Sequence, residues 1–129
     1  MRETIFLITS LAAMCLAGCS DGLIEVTGDV SFDGEPVELG TIRFVDTGDS
    51  STSHAADIKD GSYTLRTTPG SKRVEIRASR PLPPERQTQP EMGLMYDDYI
   101  PAQYNRESTL TADVRPDGSR EFDFHLPAP

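Results

Sequence analysis

Tryptophan is absent from this chain, histidine occurs twice, and both cysteines, Cys15 and Cys19, fall within the first nineteen residues. From residue 20 onward there is no thiol, which removes disulfides, thiolate metal sites and cysteine nucleophiles from the rest of the chain. The two histidines, His54 and His125, are too few for a three-histidine metal site and have no partner at ligand spacing, so both read as solvated surface residues. Basic side chains are outnumbered, 12 against 21 acidic, for a formal charge of −9. That balance argues against nucleic acid as a partner and against electrostatic adhesion to anionic head groups. No apolar run approaches the roughly 20 residues of a membrane span. Beyond the N-terminus, no segment has the 3.6-residue period of an amphipathic helix.

What is present begins with Arg2 and a mostly apolar run from Thr4 to Ala17, about 14 residues, which has the build of a secretory signal. The run ends in Leu16-Ala17-Gly18-Cys19, which resembles the lipobox of bacterial lipoproteins. The resemblance implies a diacylglycerol on the Cys19 thiol, cleavage before Cys19, and acylation of the new amine by a chain such as palmitate. Leu16, Ala17, Gly18 and Cys19 are then the signal-peptide recognition residues. Residues 1–18 are expected to be the signal peptide, 19–22 a short lipidated linker, and 23–126 the folded domain. Losing 18 of the 129 residues leaves 111, enough for one modest core. The cut removes Arg2 and Glu3, one charge of each sign, so the balance stays at −9. The lipid on Cys19 must therefore provide the hold on the membrane. Asp after the acylated Cys resembles an inner-membrane retention signal. Ser20 stands there, so the implied address is the periplasmic face of the outer membrane.

From Leu23 onward the apolar period is two. Ile24, Val26, Val30 and Phe32 share one face with Gly28, and Asp33-Gly34-Glu35-Pro36 is a turn. Val37 and Leu39 are odd while Ile42 and Phe44 are even, a phase slip that predicts a β-bulge at Gly40. His54 to Lys59 and Ser62 to Thr67 read as a hairpin about Asp60-Gly61. Val74, Ile76 and Ala78 alternate, as do Leu110, Ala112 and Val114, and Phe122, Phe124 and Leu126 close the domain. The expectation is an all-β fold, a seven-stranded antiparallel β-sandwich.

Val26-x-Gly28-x-Val30, Asp33-Gly34-x-Pro36, Gly40-Thr41-Ile42-x-Phe44 and Asp60-Gly61-Ser62-Tyr63-x-Leu65 run in order. Gly70, Arg73-Val74-Glu75-Ile76 and Ile100-Pro101-Ala102-Gln103-Tyr104-Asn105 follow, before Ser108-x-Leu110. The set resembles small secreted bacterial lipoproteins with a carboxypeptidase regulatory-like domain, which implies a transthyretin-like (prealbumin-like) sandwich over residues 23–126. These motifs are turn and core signatures, and they bring no catalytic residue with them. Two enzymes on related folds are poor matches. An intradiol dioxygenase needs two Tyr and two His on one iron. Hydroxyisourate hydrolases end in Tyr-Arg-Gly-Ser, where this chain ends Leu126-Pro127-Ala128-Pro129.

Residues 80–106 lack alternation and hold five prolines, a long loop that either covers an edge of the sandwich or forms a ligand-facing lip. Within it, Tyr96, Asp97, Asp98 and Tyr99 are the candidate ligand- or partner-binding residues, with Tyr96 and Tyr99 expected to be exposed. Ile100 and Tyr104 are expected to be structural. Asp46, Asp49, Asp57 and Asp60 do not follow the ligand order of a calcium loop. Lys72, Arg73, Arg77 and Arg80 form an expected basic face, joined by Arg66 through pairing with Glu75. Taken together, these features predict no catalysis, no metal and no cofactor. They predict a lipid-anchored envelope protein with a binding or structural module, its partner an envelope protein or glycan. The alternative is a carbohydrate- or small-ligand-binding site or, less favoured, an enzyme site on the 92–104 loop.

Overall fold

The computed structural model describes residues 22–48 and 52–129. The signal segment, Leu16, Ala17, Gly18 and Cys19 lie outside the described residues, as does Asp49.

The described chain is all-β. Its strands are β1 (Ile24–Phe32), β2 (Glu35–Pro36), β3 (Leu39–Asp46), β4 (Ser53–Lys59), β5 (Ser62–Thr67), β6 (Gly70–Pro81), β7 (Tyr96–Asp98), β8 (Thr111–Val114) and β9 (Phe124–Leu126). They form one curled sheet in the order β2-β1-β5-β4-β3-β6-β7, with β8 on β6 and β9 on β1. All seven expected strands occur, and β2 and β7 are two short additions. The ladders are antiparallel except β1–β9, which is parallel and sets Ser31 beside His125.

The hairpins follow from turn chemistry. Asp60 and Gly61 have φ of 51° and 80°, the pair of positive values a two-residue hairpin turn needs, and Asp33-Gly34 repeats the device between β1 and β2. β4 and β5 share a single register pair, Lys59 with Ser62. All six residues of β5 pair with β1. This change of partner curls the sheet over one core. Phe44 of β3 sits at its centre, with ring centroids 6.3 Å from Tyr63 of β5, 6.2 Å from Phe122 and 6.5 Å from Phe124 of β9. Edge and tilted ring contacts of this kind add to the burial of aromatic area.

Three expectations need correction. Gly40 is not a bulge: it pairs in unbroken register with Ile58 and Ala78. The phase slips because Val37, fully buried, lies in the connection before β3, where its N–H donates to the Val30 carbonyl. Leu39 opens the strand facing outward. Gly40 belongs to the inward row, and a Cβ there would lie 2.4 Å from the Arg77 carbonyl oxygen, so only glycine allows the strands to approach.

Lys72 is not part of a basic face. It occupies the inward row of β6 with Val74, Ile76 and Ala78 and is 1% exposed. Its ammonium is held by the Asp46 carboxylate, opposite in register on β3, and by the Thr68 hydroxyl. A buried cation requires such partners. Arg66 faces Glu25 on β1, because β5 pairs with β1 and not with β6. Glu75 instead accepts from Arg73 at 3.2 Å.

Finally, residues 80–106 are not one unstructured loop. β6 continues to Pro81, and β7 pairs with its last three residues. Between them, Gln87 ties the excursion shut: its side chain donates to the Leu82 and Met95 carbonyls and accepts from the Met95 N–H. After β7, Ile100 and Tyr104 turn into the core, as expected of them. Asn105 donates to the Ile100 and Pro101 carbonyls, and the Ser108 hydroxyl donates to the Val74 carbonyl.

Candidate functional site: a groove between the two ends of the sheet

The strand path begins with β2 and ends with β7, and the curl of the sheet brings these ends to opposite sides of one groove of about 550 Å³. Glu35 and Pro36 of β2 form one wall, with Glu38 and Leu39 beside them, while Tyr96 and Pro81 belong to the other. Phe32, Ser79, Arg80 and Tyr99 complete the lining. The volume falls within the range usual for small-ligand sites.

The four candidate residues do not act together. Tyr96 is 53% exposed on the groove wall. Tyr99 is half-buried, contrary to expectation: its ring meets Phe32 edge-on at 5.8 Å and carries the Arg80 guanidinium 4.7 Å above its centroid. The carboxylates leave the tyrosines. Asp97 stands opposite Arg80 in the β6–β7 ladder. Asp98 lines a separate hollow of about 200 Å³ that also holds Arg77 and Arg106. Among the described residues no group of three or more His, Asp or Glu is placed to hold a metal ion.

Groove electrostatics centre on Tyr99. Burial pushes its phenol above the ordinary value; Arg80 opposes this, while Glu38 and Glu35 add to it. Both carboxylates therefore act on the ring, and neither forms an ion pair among the described residues. The Arg80 guanidinium makes no hydrogen bond or ion pair there either; its contact is with the Tyr99 face. The groove thus presents two carboxylates, a cation with its donors open, and aromatic surface.

A second, more open depression of about 770 Å³ lies beside the β1–β9 ladder, lined in part by Asp29, Ser31, Asp60 and His125. Ser31 Oγ and His125 Nδ1 are 2.8 Å apart. The parallel pairing that joins them has no local sequence signal, and the histidine was expected to be merely solvated. Its ring has no carboxylate partner among the described residues, so the third member that orients a catalytic base is lacking. The other histidine, His54, lies 3.3 Å from the Thr67 hydroxyl. No Phe or Tyr ring lines the larger depression, whereas the smaller groove has three.

No family model matches the chain, and no curated protein matches it. Among solved structures, the crystal structure of a 9R-lipoxygenase from Cyanothece PCC8801 aligns with a TM-score of 0.37 and 13% identity, over 99% of this chain and 18% of that one. The chain thus spans less than a fifth of that protein's length, and a likeness of this degree carries no argument about activity.

Proposed function

We propose that this chain is a lipid-anchored protein of the bacterial cell envelope whose folded part is a non-enzymatic, prealbumin-like β-sandwich that binds a ligand or partner in the groove between β2 and β7. The anchor reading rests on Leu16-Ala17-Gly18-Cys19, with four residues of sequence between Cys19 and Ile24, the first residue of β1. The sandwich reading is supported by the ring contacts that join β3 to β5 and β9 across one core. The observation that carries the binding role is the groove itself. It combines a half-exposed Tyr96 with charged groups, Glu35, Glu38 and Arg80, that have no ionic partner among the described residues. Charged side chains lining a cleft without ionic partners contribute little to stability, which leaves them available to a ligand.

Two measurements test the proposal separately. Cys19→Ser is expected to move the protein from the membrane pellet to the soluble fraction, since one acidic chain has no other comparable hold on lipid. A mutant that stays in the pellet after a high-salt, detergent-free wash overturns the anchor. Mapping of amide shifts on adding envelope extracts, with changes expected at 32–39 and 79–99, tests the groove; changes confined to other surfaces overturn it.

A further inference from the structure

We infer that the groove between β2 and β7 takes an extended peptide segment carrying a lysine or arginine beside an apolar residue, the cation meeting Glu35 and Glu38 and a backbone carbonyl meeting Arg80. The inference rests on the groove being the binding site, and adds the chemistry of what enters it.

Three observations lead to a peptide. First, the large apolar side chains left exposed among the described residues are Leu39 at 52%, Met92 at 77%, Leu94 at 66% and Tyr96 at 53%. Two of them, Leu39 and Tyr96, line the groove from its two walls. Exposed apolar side chains brought to one cleft offer a surface for an apolar residue of a partner. Second, β2 and β7 are the terminal strands of the path, so each is paired on one side only. On β7, backbone groups along the open side are available to an extended chain, a recurring way for a sheet edge to hold a peptide, whereas β2 ends in Pro36, which has no N–H to donate.

Third, the charges are arranged for a chain that brings both a donor and an acceptor. Glu35 and Glu38 are exposed carboxylates without an ion pair among the described residues, and both line the groove. Arg80 lies over Tyr99, so its planar fork is held in position while its N–H donors stay open. A lysine side chain beside a peptide carbonyl satisfies both at once. An anionic segment meets two carboxylates in a chain of net charge −9 and is repelled. A neutral sugar could stack on Tyr96 but leaves the carboxylate pair without a counter-charge.

The test uses the full chain in a non-ionic detergent, with detergent-only blanks, and fluorescence anisotropy of labelled acetyl-(Lys-Leu)3-amide. Binding is expected, and it should weaken roughly tenfold in the Glu35→Gln/Glu38→Gln double variant and roughly tenfold in Tyr96→Ala. Raising salt from about 50 to about 300 mM should weaken it further, as for any exposed charge contact. Both variants change exposed side chains and should keep the parent's urea midpoint, so a loss of binding cannot be put down to unfolding. Equal binding of acetyl-(Glu-Leu)3-amide, or affinity unchanged in both variants, overturns the inference. Spermidine or a chito-oligosaccharide that binds and is lost in Tyr96→Ala, while the peptide does not bind, overturns the peptide but keeps the groove as a site. No binding by peptide, amine or oligosaccharide overturns both readings.

Discussion

The four tyrosines divide between two regions that the chain treats in opposite ways. Tyr63 and Tyr104 are buried and each hydroxyl donates to a backbone carbonyl at 2.6 Å, Phe122 and Pro127 respectively. Those two carbonyls belong to the segment around β9, so each phenol ties the end of the chain to the core. Tyr96 and Tyr99 sit in the groove, and neither hydroxyl has a hydrogen bond among the described residues. One pair closes the fold, while the other leaves surface and donors free. A buried hydroxyl must be satisfied, whereas an exposed one has water, so the two environments impose different rules on the same side chain.

The contrast is sharpest in stability. Phe44→Ala should cost about 3–5 kcal/mol, because it empties the point where Tyr63, Phe122 and Phe124 converge. Urea melts measure it, and a loss below about 1 kcal/mol would mean the rings do not form one core. Tyr104→Ala follows at about 3 kcal/mol, and Tyr104→Phe at about 1 kcal/mol, the difference separating ring burial from the bond to Pro127.

Alkaline pH probes the closed region through Tyr63. Burial first, and then the Asp123 charge, raise its phenol far above the ordinary value of 10.0. The folded state therefore holds the proton more tightly than the unfolded chain does. Its contribution to stability is complete below about pH 10 and falls as pH rises above that, since unfolding then releases a proton. Urea midpoints between about pH 8 and pH 11 should fall, and Tyr63→Phe should flatten that fall. An equally steep fall in Tyr63→Phe assigns the loss to another group. Smallest is Tyr96→Ala, expected to stay within about 0.5 kcal/mol, as exposed substitutions do. A large loss there would erase the distinction between the two regions.

Much of the closed region was legible in the sequence. Val26 and Val30, Tyr63 and Leu65, Val74 and Ile76 alternate with polar residues, and all six face the core. Asp60-Gly61 announced its own hairpin. Lys72 was legible by position and hidden by type: it keeps the phase of Val74, but a lysine suggests surface until its partners Asp46 and Thr68 are seen. The groove was harder to read. A strand of two or three residues is too short to display a period, so Glu35–Pro36 and Tyr96–Asp98 passed as turn and loop. Neighbour choice is not local either. Nothing near Arg66 says that β5 pairs with β1, and nothing near His125 says that β9 runs parallel to it. Of the two tyrosines expected to be exposed, Tyr96 is and Tyr99 is half-buried against Phe32 and Arg80, contacts that nothing near Tyr99 in the sequence announces.

The parallel course of β1 and β9 has a mechanical consequence. β1 is nine residues long, so its ends are about 27 Å apart. The proposed lipid precedes its first residue, and the groove begins with Phe32, its last. In the anchored form, a partner held in the groove therefore pulls along β1 from one end while the membrane resists at the other. Hydrogen bonds to β5 on one side and β9 on the other lie across that direction. Tension then shears both ladders as a block, loading many bonds together. It does not peel them open one after another. In that proposed form the first strand would act as a tension rod between bilayer and cargo, with the ladders on either side keeping it from being drawn out of the sheet.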